Sequence, residues 1–287
     1  MTPHDFLKYV PRTNCGECGY AACLAFAVAV TKGGENAEKC PHLDPAFTTS
    51  SGDPSTAAPT VGAGRSEMQE DRDMALVAHL KGKIRDIDFR ELAPRLGADW
   101  SPQEPDDLLF SYLGRPVRVG KERLLMAGEE LVDPRDQILL YNYVSFGGGR
   151  PPDGNWIGLE SLPNSISKVR TLATYCEDRI AKRFAGRTRI LAALLQQLNS
   201  LPGPDDQSCS VGMIIPVLPH LPHYLLFWDE EPEDGFEAKV KVLFDHHVMD
   251  FLDLESLVFA AERTADRLAE LDRGNRLAQG KQCRLSA

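Results

Sequence analysis

Four of the seven cysteines fall between residues 15 and 40, in the pattern Cys15-x2-Cys18-x4-Cys23-x16-Cys40, with Pro41 directly after. The other three, Cys176, Cys209 and Cys283, lie far apart. A disulfide framework spreads paired cysteines through a fold. A tight cluster reads instead as a metal site, and it forces the first forty residues to fold around whatever the thiolates hold. Thiolates are soft ligands, and an iron–sulfur cubane takes four of them. Three cysteines on a short loop can cap one face of a cube, and a distant fourth can close it. Gly16 and Gly19 flank Cys18 and let the backbone turn tightly, with its N–H groups toward sulfur. Cys15, Cys18, Cys23 and Cys40 are therefore the expected ligands of one 4Fe–4S cluster.

Cys23 is expected in the first turn of an apolar helix, Tyr20 to Thr31. Leu24, Phe26, Val28 and Val30 lie in it, Lys32 is its first charge, and Gly33-Gly34 supplies a stop. Such a helix would screen one side of the cluster from water. Its N-terminus would favour thiolate at Cys23. Structural zinc is the competing reading, but it usually uses two CxxC pairs, and here there is one. Four unrelated buried cysteines are a further alternative, against which the ordered spacing and flanking glycines count.

The stretch Asn14-Cys15-Gly16-Glu17-Cys18-Gly19-Tyr20-Ala21-Ala22-Cys23-Leu24-Ala25-Phe26-Ala27, with Cys40-Pro41 later, closely resembles a small 4Fe–4S domain of anaerobic redox proteins. That domain occurs in the corrinoid iron–sulfur protein large subunit, the acetyl-CoA decarbonylase/synthase gamma subunit and the B subunit of Rnf-type complexes. The resemblance implies that the four motif cysteines ligate one cluster, and that the setting is low-potential electron transfer in anaerobic metabolism. It covers about 35 residues and says nothing of the rest. Segments such as Asp153-Gly154-Asn155-Trp156-Ile157 and Val242-Leu243-Phe244-Asp245 make the remainder similar to an uncharacterised prokaryotic domain often joined to this cluster domain.

The length of 287 residues fits one or two domains. The organisation expected is a cluster-binding domain at 1–44, a flexible linker at 45–70 rich in Ser, Thr, Ala, Pro and Gly, a larger domain at 71–272, and a frayed polar tail at 273–287. Short apolar runs with turns between them (108–113, 117–119, 123–127 and 137–144) suggest an antiparallel meander. Further strands are expected at 211–217, 224–228 and 238–244. Helices are expected at 74–87, 165–184, 188–198 and 254–271, the last capped by Asp253. Strands in blocks make the fold class α+β, a small helical cluster domain joined to a larger mixed domain with an antiparallel sheet.

The net charge of −10 and the absence of a basic stripe argue against nucleic acid as a partner. No run approaches the roughly eighteen apolar residues of a membrane span, and Asp5 and Lys8 interrupt any signal-like start, so the expected location is the cytoplasm.

Weaker signals lie in the larger domain. Phe146-Gly147-Gly148-Gly149-Arg150 could cradle an anion, but it lacks Walker and GxGxxG spacing, and a plain turn is the simpler reading. His220, His223, Asp245, His246 and His247 could form a second metal site, against the simpler reading of scattered histidines. Asp245-x-His247 echoes a cobalt-ligating corrinoid signature, with Asp250 where glycine is expected, and Asp245-His246-His247 faintly echoes a phosphoesterase triplet. Cys176 and Cys209 read as incidental thiols. The function expected is electron transfer to a partner protein, whose basic face would suit the acidic surface, or to the larger domain. The alternatives are an enzyme whose larger domain binds a small molecule or corrinoid and uses the cluster as reductant, and a redox sensor.

Overall fold

The computed structural model describes residues 2–13, 15, 17–20, 22–33, 35–44, 47, 63–101, 107–204 and 208–285. The chain divides into two compact units, Met1–Glu70 and Asp71–Ala287.

The first unit opens on a short helix, α1 (Pro3–Phe6). Thr2 and Asp5 cap it reciprocally: the Asp5 N–H donates to Thr2 Oγ1, and the Thr2 N–H donates to the Asp5 carboxylate. Helix α2 runs from Cys23 to Gly33. It starts three residues later than the expected Tyr20, because Gly19 turns through a left-handed conformation (φ +83°). Phe6, Val10, Phe26 and Ala27 form a small core with Cys23 and Cys40. Phe6 packs edge-on against Phe26 and Phe47.

Helix α3 (Ala63–Ile84) follows, and its Val77, Leu80 and Ile84 enter the core of the second unit. The expected linker at 45–70 lies outside the described residues, except for Phe47 and for 63–70, whose backbone already belongs to α3. Helix α4 (Phe89–Leu96) is capped by Asp88 and ends on left-handed Gly97. A five-stranded antiparallel sheet comes next: β1 (Asp99–Trp100), β2 (Leu108–Tyr112), β3 (Arg115–Val119), β4 (Leu124–Met126) and β5 (Glu129–Glu130), paired in chain order.

The meander stops there. Residues 137–144, read as part of it from their apolar run, lie in helix α5 (Pro134–Phe146). The ends decide the matter: the Asp133 carboxylate accepts the Arg135 N–H, Pro134 pre-sets the first turn, and Gly147 closes the helix at φ +74°. The apolar run reflects a helix buried around most of its circumference, with Leu139, Leu140, Tyr141, Tyr143 and Val144 inside.

Strand β6 (Trp156–Gly158) precedes α6 (Ile166–Leu172), a π-turn at Ala173–Glu177 and α7 (Asp178–Phe184). Gly186, at φ +65°, lets the chain turn into α8 (Thr188–Gln196). The second antiparallel sheet has the order β6-β10-β9-β8-β7, with β7 (Leu201–Pro202), β8 (Val211–Leu218), β9 (Leu221–Trp228) and β10 (Lys239–Asp245). The two segments that carried the family resemblance are neighbours here: Asp245 pairs with Trp156 and Phe244 with Ile157. At the π-turn, buried Glu177 accepts the Val242 N–H of β10 at 2.9 Å, and burial raises its carboxyl pKa.

The last helix, α9 (Leu254–Leu285), passes the expected end at 271 and continues through the tail expected to fray. That tail is polar, but Ala, Leu, Arg, Gln and Lys are good helix formers and no proline interrupts them. Both sheets and helices share one core, and the architecture is α+β.

Candidate functional site

Of the four motif cysteines, Cys23 and Cys40 are buried, Cys18 is half-buried and Cys15 is exposed. Cys18, Cys23 and Cys40 all pack into the cluster of Phe6, Val10, Phe26 and Ala27. Cys23 is the first residue of α2. Phe26 and Ala27, one turn on, face the same core, while Leu24 and Val28 on the opposite side are exposed. Cys40 follows a single 3-10 turn, Ala37–Lys39, capped by Asn36. Gly19 turns as expected beside Cys18; Gly16 lies outside the described residues.

Two polar ties join the loop of the early cysteines to the segment of Cys40. The Tyr20 hydroxyl donates to Glu35 Oε2 at 2.9 Å, and Lys39 Nζ donates to the same oxygen at 2.9 Å. The Lys39 ammonium and the Tyr20 hydroxyl hold the Glu35 carboxyl below its ordinary pKa. At the other end, His42 Nε2 lies 2.8 Å from Glu17 Oε2. Cys15, Glu17 and His42 together present ligand atoms within 4.8 Å of one another. Neither tie is visible from spacing, because Tyr20, Glu35 and Lys39 are ordinary surface residue types.

In the second unit the structure separates the histidines. His220 Nδ1 lies 3.2 Å from the Arg95 carbonyl. His223 is buried edge-on against Phe244, and desolvation lowers its pKa to about 3. Asp245, His246 and His247 do come together, joined by Asp153, with ligand atoms within 4.8 Å of one another. Sequence reading missed Asp153 as a member because 92 residues separate it from Asp245 and only the β6–β10 pairing brings it near.

The glycine-rich loop is filled by its own surroundings. A Cβ on Gly148 would stand 2.5 Å from the Arg95 carbonyl oxygen, and one on Gly149 would stand 2.6 Å from Asp250. Arg150 makes a two-pronged ion pair with Asp250, at 2.9 and 3.1 Å, so its charge is already met. The same pair occupies Asp250, the residue that stood in place of glycine in the corrinoid-like pattern. Cys176 is fully buried, and desolvation pushes its thiol pKa well up, as fits an inert thiol.

A groove lined by arginines together with Asp266 and Glu270, which the sequence hid, also appears. Arg179, Lys182, Arg183, Arg263, Arg273 and Arg276 line an open groove of about 560 Å³. Arg179 is ion-paired to Asp266, Arg183 and Arg276 to Asp272, and Arg263 to Asp136.

These features define an α+β protein whose first unit gathers thiols in an apolar pocket. The chain belongs to the family described as "Domain of unknown function (DUF3786)", whose model matches residues 88–267. Residues 10–42 match the family described as "Putative Fe-S cluster". The chain is 31% identical over 84 residues to the corrinoid/iron-sulfur protein large subunit of Moorella thermoacetica, covering 28% of this chain and 19% of that protein. It is 45% identical over 42 residues to the acetyl-CoA decarbonylase/synthase complex subunit gamma of Methanosarcina acetivorans, covering 15% of this chain and 9% of that one. The corresponding subunit of Methanocaldococcus jannaschii is 40% identical over 40 residues. The chain thus spans less than a fifth of the length of these curated relatives. No solved structure matches. No helix among the described residues is long and apolar enough to cross a membrane.

Proposed function

We propose that this chain is an electron-transfer protein that holds one 4Fe–4S cluster on Cys15, Cys18, Cys23 and Cys40. The observation that carries the reading is the gathering of Cys18, Cys23 and Cys40 into one apolar cluster; Cys15, the fourth cysteine of the motif, is exposed. The donor set fits: four thiols, three of them among aromatic and aliphatic side chains that exclude water. A cubane spreads its ligands over four irons. When bound, it supplies one-electron chemistry through the valence of its irons.

The chain's own residues provide the rest. Phe6, Val10 and Phe26 keep the pocket dry. The Tyr20–Glu35–Lys39 tie holds Cys40 against the early loop. The exposed Cys15 edge is the side on which electrons enter and leave, toward a partner protein or toward the second unit. A cytoplasmic, anaerobic setting belongs to the same reading.

Anaerobic purification with iron and acid-labile sulfide assays tests it, together with EPR after dithionite reduction. The result expected is about four irons and four sulfides per chain. The reduced-cluster signal should vanish in Cys23→Ala. Stoichiometric zinc with no labile sulfide would overturn the reading.

A further inference from the structure

Strand β6 lies antiparallel to β10, with Asp245 opposite Trp156. One step beyond, the His246 N–H donates to the Asn155 carbonyl at 3.0 Å. This ladder lays the loop before Trp156 across the end of β10. Asp245 is buried there, at 2% exposure. Its Oδ2 accepts the N–H groups of Asp153 and Gly154 at 3.0 and 2.9 Å, and its Oδ1 accepts that of His247 at 3.0 Å. Three backbone donors thus fix the carboxylate and leave one lone pair of Oδ1 unused.

Around that oxygen stand two imidazoles and a second carboxylate. His246 Nδ1 lies 3.8 Å from Asp245 Oδ1 and 3.3 Å from Asp153 Oδ1. His247 Nδ1 lies 3.7 Å from Asp245 Oδ1 and 3.2 Å from the Pro151 carbonyl. The two rings are 3.7 Å apart, centroid to centroid. His246 Nδ1 is shut off from solvent and makes no hydrogen bond. Among the described residues, the side-chain nitrogens that approach Asp245 Oδ1 are those of these two imidazoles, and the neighbouring arginine, Arg150, is engaged with Asp250.

We propose that Asp153, Asp245, His246 and His247 form a binding site for one divalent first-row transition-metal ion, distinct from the cysteine site. Two imidazole nitrogens with two carboxylate oxygens suit zinc, iron(II), cobalt or nickel. Calcium and magnesium prefer oxygen alone. The backbone N–H groups on Asp245 orient one ligand before the ion arrives. Asp153, with a side chain 55% exposed, leaves the site open to water on one side.

The test uses the full-length chain, purified anaerobically, and zinc as the probe. Equilibrium dialysis should find one zinc per chain in addition to the iron. X-ray absorption at the zinc edge should show only nitrogen and oxygen neighbours, near 2.0–2.1 Å, with no sulfur shell at about 2.3 Å. His246→Ala and Asp153→Asn should each weaken zinc binding more than tenfold, with circular dichroism unchanged. Asp245 is left intact, because it also organises the loop. Zinc held through sulfur alone, or equal affinity in both variants, would overturn the site. The cluster reading fails differently, through missing labile sulfide, so the two outcomes stay separate.

Discussion

The Tyr20 hydroxyl donates to Glu35 Oε2, the same oxygen that receives Lys39 Nζ, and so one carboxylate joins the loop after Cys18 to the residue before Cys40. Groups that orient metal ligands without touching the metal contribute measurably to retention. Glu35→Ala should leave iron content intact after gentle purification but speed iron loss to a chelator several-fold. Tyr20→Phe should show a smaller change in the same direction. Equal loss rates in wild type and both variants would show that the tie does not hold Cys40.

Asp136 is buried in the second unit. Its Oδ1 accepts the Tyr112 hydroxyl and Arg263 Nε, both at 2.8 Å, and its Oδ2 accepts an Arg263 Nη at 2.7 Å. This network fastens α5, β2 and α9 together. Asp136→Ala leaves the buried Tyr112 hydroxyl without its acceptor and Arg263 with Asp266 as its close partner, at 3.2 Å, and should cost about 2–3 kcal/mol. Urea unfolding of the variant measures it. A loss under 1 kcal/mol would mean that water replaces the carboxylate freely.

His223 is buried with neither ring nitrogen hydrogen-bonded, and desolvation lowers its pKa from 6.5 to about 3. Between those values the unfolded chain binds a proton that the folded chain does not. Stability is therefore full above about pH 6.5 and falls as pH drops below it, by about 1.4 kcal/mol per pH unit until about pH 3. Denaturant titrations at pH 7.5 and 5.5 should show a loss of about 1.4 kcal/mol in wild type beyond that in His223→Leu. Identical pH slopes would refute the assignment.

Gly148 has φ +68°, and an added Cβ would meet the Arg95 carbonyl at 2.5 Å. Gly148→Ala should therefore cost about 2 kcal/mol or more, from the left-handed strain and the displacement of α4 together. Gly154→Ala, also left-handed (φ +84°) but with open space around it, should cost only the strain. Thermal melts of the two variants separate the contributions, and equal shifts would rule out the close approach.

The sequence alone determined the local features. The cysteine spacing singled out Cys15, Cys18, Cys23 and Cys40 as the proposed ligands, and Cys18, Cys23 and Cys40 share one small core. Short apolar runs and the turns between them placed most strands of both sheets, and Asp253 marked the start of the last helix, because caps act within a few residues. The run at 137–144 defeated that reading, since a helix buried around most of its circumference shows too narrow a polar face to betray its period. Only the tertiary structure decided which distant residues meet. It parted His220 and His223 from Asp245, brought Asp153 to His246, collected arginines from separate helices into one groove, and set Glu35 between Tyr20 and Lys39. Each of these depends on strand register or helix packing, which sums many weak contacts along the whole chain and leaves no mark at any one position.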